Sequence, residues 1–306
     1  MAHTSTSPTV TIGLAVRNGA ATLESALSGL LNQTHRDVRL LISDNASQDE
    51  TQAICEKWAA RDARIEYLRQ PQNIGPVPNF HFLLNQAASP YFMWAAHDDE
   101  WAPDFIAANL AVLESDPQVI CSVSDVELFD APKMATPLIA GVAPLMADCR
   151  TNLIEYLQEP GANSRIYGLY RTTALQRSFL ASDVYWAFDW AIVARTLTYG
   201  RHAQVPRPLM RRRCRGQSSD ASRNIRYYNA SWWGRRFPML PFTCALLADD
   251  RIPKTPAILR LLASWNHCYL KQSLRDFRRR RLYPVLERLH LRSTNKLPDV
   301  ASRLVH

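Results

Sequence analysis

The chain has 306 residues, 47% of them hydrophobic, which suits one large or two modest domains with a sizeable core. The most apolar stretch, Phe237 to Ala248, is far shorter than the roughly eighteen residues of a membrane span and is broken by Pro238 and Pro241. Its N-terminus lacks the basic start and apolar middle of a secretory signal, so a cytoplasmic protein is expected. Six cysteines, Cys55, Cys121, Cys149, Cys214, Cys244 and Cys268, show no Cys-x-x-Cys spacing, which argues against a zinc ribbon and a disulfide framework. The net charge of +8 is unevenly spread: residues 1–200 carry 13 Lys/Arg against 22 Asp/Glu, and residues 201–306 carry 23 against 6.

Val10 to Val16 is β-rich and apolar and runs into the turn signal Arg17-Asn18-Gly19. Between Thr22 and Gln33, Leu23, Ala26, Leu27, Leu30 and Leu31 recur at helical spacing. A second strand, Val38 to Ser43, ends in Asp44-Asn45-Ala46-Ser47, and Asp49 or Ser47 can cap the helix that follows to about Arg61. Arg64 to Arg69 is a third strand, followed by the turn-rich stretch Gln70 to Pro76 and a helix from Phe80 to Ala87. Tyr91 to Phe105 then joins a short apolar strand to Asp98, Asp99 and Glu100, with Pro103 opening a helix. Alternating strands and helices of this kind predict a doubly wound, mostly parallel α/β sheet. Such sheets bind ligands at the carboxyl ends of their strands, where clustered carboxylates can hold a divalent cation and through it a diphosphate. Neither Gly-x-Gly-x-x-Gly nor Gly-x-x-x-x-Gly-Lys occurs, so a dehydrogenase-type dinucleotide fold and a P-loop are unsupported.

Farther on, Gln118 to Leu128 reads as a fifth strand, and Asp130 to Asp148, with Pro132, Pro137 and Pro144, as a loop that either closes over a bound ligand or is an ordinary surface excursion. Asn163 to Tyr170 is expected to return to the sheet and to line the acceptor side. Tyr185 to Trp190 leads into a helix through Tyr199 with Gly200 as its stop. His202 to Val205 and Pro206 to Arg213 then read as a strand and a short return, ending in Arg211-Arg212-Arg213-Cys214-Arg215.

Val-Thr-Ile-Gly-Leu-Ala-Val-Arg-Asn-Gly, Ile-Ser-Asp-Asn-Ala-Ser-Gln-Asp, Asn73-Ile74-Gly75 and Trp-Ala-Ala-His-Asp-Asp-Glu-Trp stand in this order. In that order and spacing they resemble the family 2 glycosyltransferases, closely over residues 8–130 and more loosely over 160–215. The resemblance implies the A-type glycosyltransferase fold and inverting transfer from a nucleotide-diphosphate sugar, with Mg or Mn as cofactor. It assigns nucleotide recognition to Asp44, whose competing role is an Asx-turn or helix cap. Ala15 and Arg17 would line the base pocket, Arg17 standing where relatives often carry an aromatic. Asn73 would approach the ribose and diphosphate, or merely build a turn with Gly75. Asp98 is assigned to the ribose or donor sugar, Asp99 to the metal and Asp189 to the general base, with Asp183 in reserve. His97 reads as a packed or solvated side chain, since Mg and Mn prefer oxygen donors. One arginine of 211–215 is expected to touch phosphate.

The implied organisation is a catalytic domain over 1–220, with a nucleotide-sugar half near 8–130 and an acceptor half near 150–215, and a helical basic C-terminal extension over 221–306. In that extension Ile258, Leu262, Trp265, Tyr269, Leu270, Leu274 and Phe277 fall at helical spacing, with Arg275 and Arg278 to Arg281 gathered towards one end. It either packs on the catalytic domain or rests on anionic lipid, with Trp232, Trp233, Phe237 and Phe242 as interfacial anchors; the latter suits a lipid-linked rather than a free saccharide acceptor. No nucleic-acid module is recognisable, and no nucleic acid is expected as partner. The expected role is transfer to an acceptor hydroxyl in cell-surface polysaccharide or glycolipid synthesis. The alternative is a non-catalytic scaffold holding a membrane or protein partner through the basic tail.

Overall fold

The computed structural model describes residues 8–129, 138–140, 142–161, 163–213, 227–228 and 232–277. In its first half β1 (Val10–Val16), α1 (Leu23–Leu31), β2 (Val38–Asp44), α2 (Thr51–Ala59), β3 (Ile65–Arg69), α3 (Pro76–Asn85) and β4 (Tyr91–Ala96) alternate as the apolar periodicity demands. Next come β5 (Glu100–Trp101), α4 (Phe105–Ser115), β6 (Val119–Phe129), β7 (Leu138–Ala140) and α5 (Cys149–Gln158). A 3-10 turn, Ser164–Tyr167, leads to β8 (Leu169–Arg171), α6 (Thr172–Gln176), α7 (Phe188–Thr196) and the long β9 (Arg201–Arg213). The described C-terminal helices are α8 (Trp232–Arg236), α9 (Leu240–Ala248) and α10 (Pro256–Phe277).

All described strands form one sheet in the order β3-β2-β1-β4-β8-β6-β9-β5, with β7 paired to β6. The β1, β2, β3 and β4 pairings are parallel, and β8 is antiparallel to both β4 and β6. β6 therefore runs with β4, and β9 runs parallel to β6, so a mostly parallel sheet carries β5, β7 and β8 reversed. Side chains of a strand point alternately to opposite faces, and two separate apolar clusters result. Val10, Ile12, Leu14, Leu40, Ile42, Met93 and Ala95 meet α1, α2 and α4 on one face. Leu41, Phe92 and Trp94 meet α3, α5, α6 and α7 on the other, joined there by Met239, Phe242, Leu246, Ile258 and Leu262 of the C-terminal helices and the turn before them. On that face Gly13 is a requirement of close packing: a Cβ there would lie 2.6 Å from Cζ of Phe92.

Several elements differ from the sequence-based expectation for local reasons. α3 starts at Pro76, four residues before the expected Phe80, because Gly75 at φ 88° turns the chain and Pro76 is preset for a first helical turn. Glu100 and Trp101 form an edge strand against β9, which makes Gln118 to Leu128 part of the sixth strand. β9 is continuous where a strand and a return were expected: Val205 pairs with Ser124 and Pro208 with Asp125, so the prolines sit at a bulge where the ladder loses no donor. α7 ends at Thr196, and Gly200 serves close approach rather than a helix stop, since a Cβ there would lie 2.4 Å from the Gln118 carbonyl oxygen. The N-cap position of α2 falls on Glu50 rather than on Asp49 or Ser47; Asp49, one residue earlier, accepts the Thr51 amide at 3.1 Å and so braces the turn that leads into the helix.

Candidate active site

The parallel register brings the carboxyl ends of three strands level. Val16 lies opposite Asp44, and Ala15 opposite both Ser43 and Ala96, so Arg17, Asp44 and the segment His97 to Glu100 emerge at one rim. Ala15 is half-buried there and Arg17 exposed. Asp44 is fully buried and its carboxylate engaged: Oδ1 accepts the Ser47 amide at 2.9 Å, while Oδ2 accepts the Tyr67 hydroxyl at 3.0 Å and the Arg69 guanidinium at 2.8 Å. Arg69 is the cross-strand neighbour of Asp44, an opposite-charge pair that aligning the ends of β2 and β3 would have found. Asn73 is exposed and its Oδ1 accepts the Gly75 amide at 3.0 Å, building the turn. The loop is stapled to the rim by Asn45, which accepts from Ile74 N and donates to the Gly75 carbonyl. Asn18 and Ala46, at the same rim, both hold positive φ, a local strain of the kind that gathers at binding sites.

Beyond β4 the acids take three different environments. Asp98 is half-exposed, while Asp99 is buried. Burial pushes the Asp99 carboxyl up to about 6, although Arg212 and the Arg213 amide oppose the shift. Glu100 pairs with Arg211 at 2.5 Å, and the same arginine reaches Glu127 at 2.9 Å, so Glu100 is tied into the β5–β9 edge. The Arg213 amide donates to Asp99 Oδ1 at 3.0 Å, and Arg212 Nε lies 3.7 Å from Asp99 Oδ2. Of the arginine run, Arg212 thus reaches furthest into the acidic cluster; Cys214 and Arg215 lie outside the described residues. His97 Nδ1 is 3.0 Å from the Thr22 hydroxyl and packs beside Gly19, in keeping with a packed histidine.

The third group arrives from the second half of the chain. Ala187, in the left-handed region at φ 65°, starts α7 and puts Asp189 in its first turn. Asp189 is half-buried, and burial raises its carboxyl above the ordinary aspartate range despite a hydrogen bond from Asn163 and the nearby charge of Arg212. Asn163 Nδ2 donates to Asp189 Oδ2 at 2.9 Å, and the next residue, Ser164, accepts from Arg212 Nη1 at 2.8 Å. Arg212 also lies over the ring of Tyr167, 4.9 Å from its centroid. The Tyr167 phenol is pushed up by burial; Arg212 opposes this, and Asp99, Asp98 and Asp189 all add to it. Three carboxylates from two distant parts of the chain therefore converge on one short turn. Asp183, by contrast, is buried in a pair with Arg195 at 2.6 Å, while its oxygens also accept from Leu180 N and the Tyr185 hydroxyl. Asn163, Ser164 and Tyr167 lie in the stretch expected to line the acceptor side, but they carry no motif, and their individual contacts with Asp189 and Arg212 are not readable from local sequence.

Among the described residues no group of three or more His, Cys, Asp or Glu side chains is arranged to hold a metal by itself. The residue types still fit a hard divalent cation: Asp98 and Asp99 are consecutive carboxylates close enough to act on one another, and Mg or Mn commonly takes one or two carboxylates and completes its shell with phosphate oxygens and water.

Comparison with known proteins agrees with this geometry. The model of "Glycosyl transferase family 2" matches residues 11–186. The chain is 29% identical over 148 residues to the abequosyltransferase RfbV of Salmonella typhimurium, covering 47% of this chain and 42% of RfbV. It is 30% identical over 94 residues to the GalNAc(5)-diNAcBac-PP-undecaprenol beta-1,3-glucosyltransferase of Campylobacter jejuni, covering 30% of each. The matched segment thus spans less than half the length of either relative. The mannosyltransferase PcManGT of Pyrobaculum calidifontis, solved with GDP-Man and Mn2+, superposes with a TM-score of 0.57 at 15% identity, over 94% of this chain and 82% of that one. The superposition bears out the expected A-type fold. With the four motifs gathered at one rim of that sheet, and the family's model spanning more than half of the residues, the chain belongs to glycosyl transferase family 2.

Proposed function

We propose that the protein is an inverting, metal-dependent glycosyltransferase that moves a sugar from a nucleotide-diphosphate donor to an acceptor hydroxyl. The observation that carries this reading is the chain of contacts in which Arg212 lies 3.7 Å from Asp99, over the Tyr167 ring and on Ser164, whose neighbour Asn163 holds Asp189. The nucleotide would lie along the rim formed by Ala15, Arg17, Asp44 and Asn73, with Asp98 on the ribose or donor sugar. The cation, held by Asp99, supplies charge compensation to the departing diphosphate when bound. Arg212, fixed by Ser164 and Tyr167, presents its guanidinium towards the same charge. Asp189 takes the proton of the attacking hydroxyl; its raised basicity suits that task, and a well-placed base contributes about a hundred- to ten-thousandfold.

The GalNAc(5)-diNAcBac-PP-undecaprenol glucosyltransferase relative supports a lipid-linked saccharide acceptor, in keeping with a role in cell-surface polysaccharide or glycolipid synthesis. Among the described residues no helix is long and apolar enough to cross a membrane, and contact with anionic lipid through the basic C-terminal segment belongs to the same proposal. Arg278 to Arg281 and the side chains of Trp232 and Trp233 lie outside the described residues.

The test is release of nucleotide diphosphate from a panel of UDP-, GDP- and dTDP-sugars with Mn. Asp99→Ala and Asp189→Ala should both abolish transfer, while only Asp99→Ala weakens metal-supported donor binding. Equal loss of donor affinity in both variants would remove this division of roles.

A further inference from the structure

We propose that Asn163 is the positioning residue of the reaction: with Tyr156 behind it, it holds Oδ2 of Asp189 and, together with the backbone amides of Asp189 and Trp190, fixes the carboxylate in the orientation that meets the acceptor hydroxyl. The inference rests on the proposed role of Asp189 as base, and its own warrant is geometric. Asn163 is 3% exposed and stands at φ 47°, ψ 43°, a left-handed conformation that asparagine tolerates better than other side chains with a Cβ. The Tyr156 hydroxyl, itself buried on α5, donates to Asn163 Oδ1 at 3.0 Å. With its oxygen so occupied, the amide can only turn its NH2 outwards, and Nδ2 lies 2.9 Å from Asp189 Oδ2. A carboxylate on the first turn of a helix rotates about two side-chain torsions; one fixed oxygen settles the plane of the other.

The same turn serves both halves of the site. Asn163 holds the base, Ser164 holds Arg212, and Tyr167 lies beneath that guanidinium. An error in the placement of residues 163–167 would therefore displace Asp189 relative to the acids of β4. A displacement of about 1 Å in such an arrangement costs on the order of a hundredfold in rate.

Asn163 also tunes the base. Its hydrogen bond favours the charged carboxylate and opposes the upward push of burial, so removing it moves the Asp189 carboxyl further up. The other ionisable groups around Asp189 are Tyr156 of α5, Tyr167 of the 3-10 turn, Arg212 of β9, Tyr228, and Tyr269 of α10, with Asp98 and Asp99 beyond Tyr167. All are retained in the variants below, save the Tyr156 hydroxyl in the second.

The experiment measures kcat, KM for donor and pH profiles of the full-length protein with whichever nucleotide sugar supports diphosphate release, for Asn163→Gly, Tyr156→Phe and Asp189→Asn. Glycine keeps the left-handed turn and deletes only the amide. Asn163→Gly should lower kcat about 10- to 100-fold with little change in donor KM, and move the acid limb of kcat/KM to higher pH. Tyr156→Phe should shift the limb in the same direction by less, and it decides the matter if the glycine variant does not fold. Asp189→Asn separates the two claims. If it transfers at the wild-type rate, the base assignment and the positioning role fall together. If it is inactive while both other variants keep the wild-type limb and kcat, Asp189 stands as base and the positioning role alone is overturned.

Discussion

His202 shows how one buried side chain gives the protein a pH dependence of its own. It is fully buried on β9, Nε2 lies 3.1 Å from the Thr196 hydroxyl, and burial holds the imidazole well below its ordinary range. An unfolded histidine titrates near 6.5, so below that pH the unfolded chain binds a proton that the folded one refuses. Stability from this group is present above about pH 6.5 and is lost as pH falls, by up to about 1.4 kcal/mol per pH unit. Asp99 works in the opposite sense, because its raised carboxyl gains a proton in the fold as pH falls through about 6. Urea unfolding of wild type and His202→Leu between pH 5 and 7.5 should therefore give a difference in stability that shrinks towards acid; a constant difference would show that His202 does not titrate below its unfolded value. A second residue, Gly13, tests packing. Gly13→Ala should cost about 1–3 kcal/mol through overpacking against Phe92, and adding Phe92→Leu should recover part of it in the same melts.

At the scale of elements, the connection between α6 and α7 explains how Asp189 is held steady from behind. Arg195 of α7 reaches back to Asp183 at 2.6 Å, to the Ser178 carbonyl at 3.3 Å and to Asp249 at 3.2 Å, with both Arg195 and Asp183 about 1% exposed. Asp249 still faces Arg195 when Asp183 is replaced, so the loss falls at or below the level of about 3–5 kcal/mol typical of breaking a buried pair outright. Asp183→Asn should accordingly lower the melting temperature by up to roughly 8 °C. Its kcat, measured well below the transition, should stay near wild type, because the carboxylate faces the ion pair rather than an acceptor. A wild-type melting temperature with lost activity would return Asp183 to candidacy as the base. β9 shows the same economy of placement: Arg211 ties Glu100 to Glu127, the Arg213 amide fixes Asp99, and Arg212 meets the 3-10 turn.

For the whole molecule, the two faces of the sheet do different work. α1, α2 and α4 cover one face, while the other is covered by α3, α5, α6 and α7 together with the C-terminal helices, where Trp265 of α10 donates to the Leu157 carbonyl of α5 at 2.7 Å. Ile258 and Leu262 are buried in that cluster, so the described part of α10 packs on the sheet layer. A ligand bound only by the folded state stabilises all of this by mass action, by about 2.7 kcal/mol at a hundredfold excess over Kd. The donor nucleotide diphosphate with Mn should raise the melting temperature by roughly 4 °C, and EDTA should cancel most of the gain. A gain that EDTA leaves intact would sink the proposed metal dependence while leaving nucleotide binding in place.

The order of strands and helices, the acids that end β2 and β4, and the family itself were legible in the residues. These features depend on local period and on short motifs, which chain neighbours encode directly. The carboxyl-end rim followed as well, since parallel strands must bring Asp44 and Asp98 to the same side. Short pairings escaped: Glu100 and Trp101 are a strand only because Met210 and Arg211 lie beside them. So did the left-handed turns at Asn163 and Ala187, which neighbouring packing imposes on residues whose own propensity does not demand them. Above all, Asn163 meets Asp189 across 26 positions and the Arg213 amide meets Asp99 across 114, contacts that exist only once the sheet has closed the distance. Linear order can name a chemical group; its burial, its hydrogen-bond partners and hence its basicity arise from surroundings that distant parts of the chain supply.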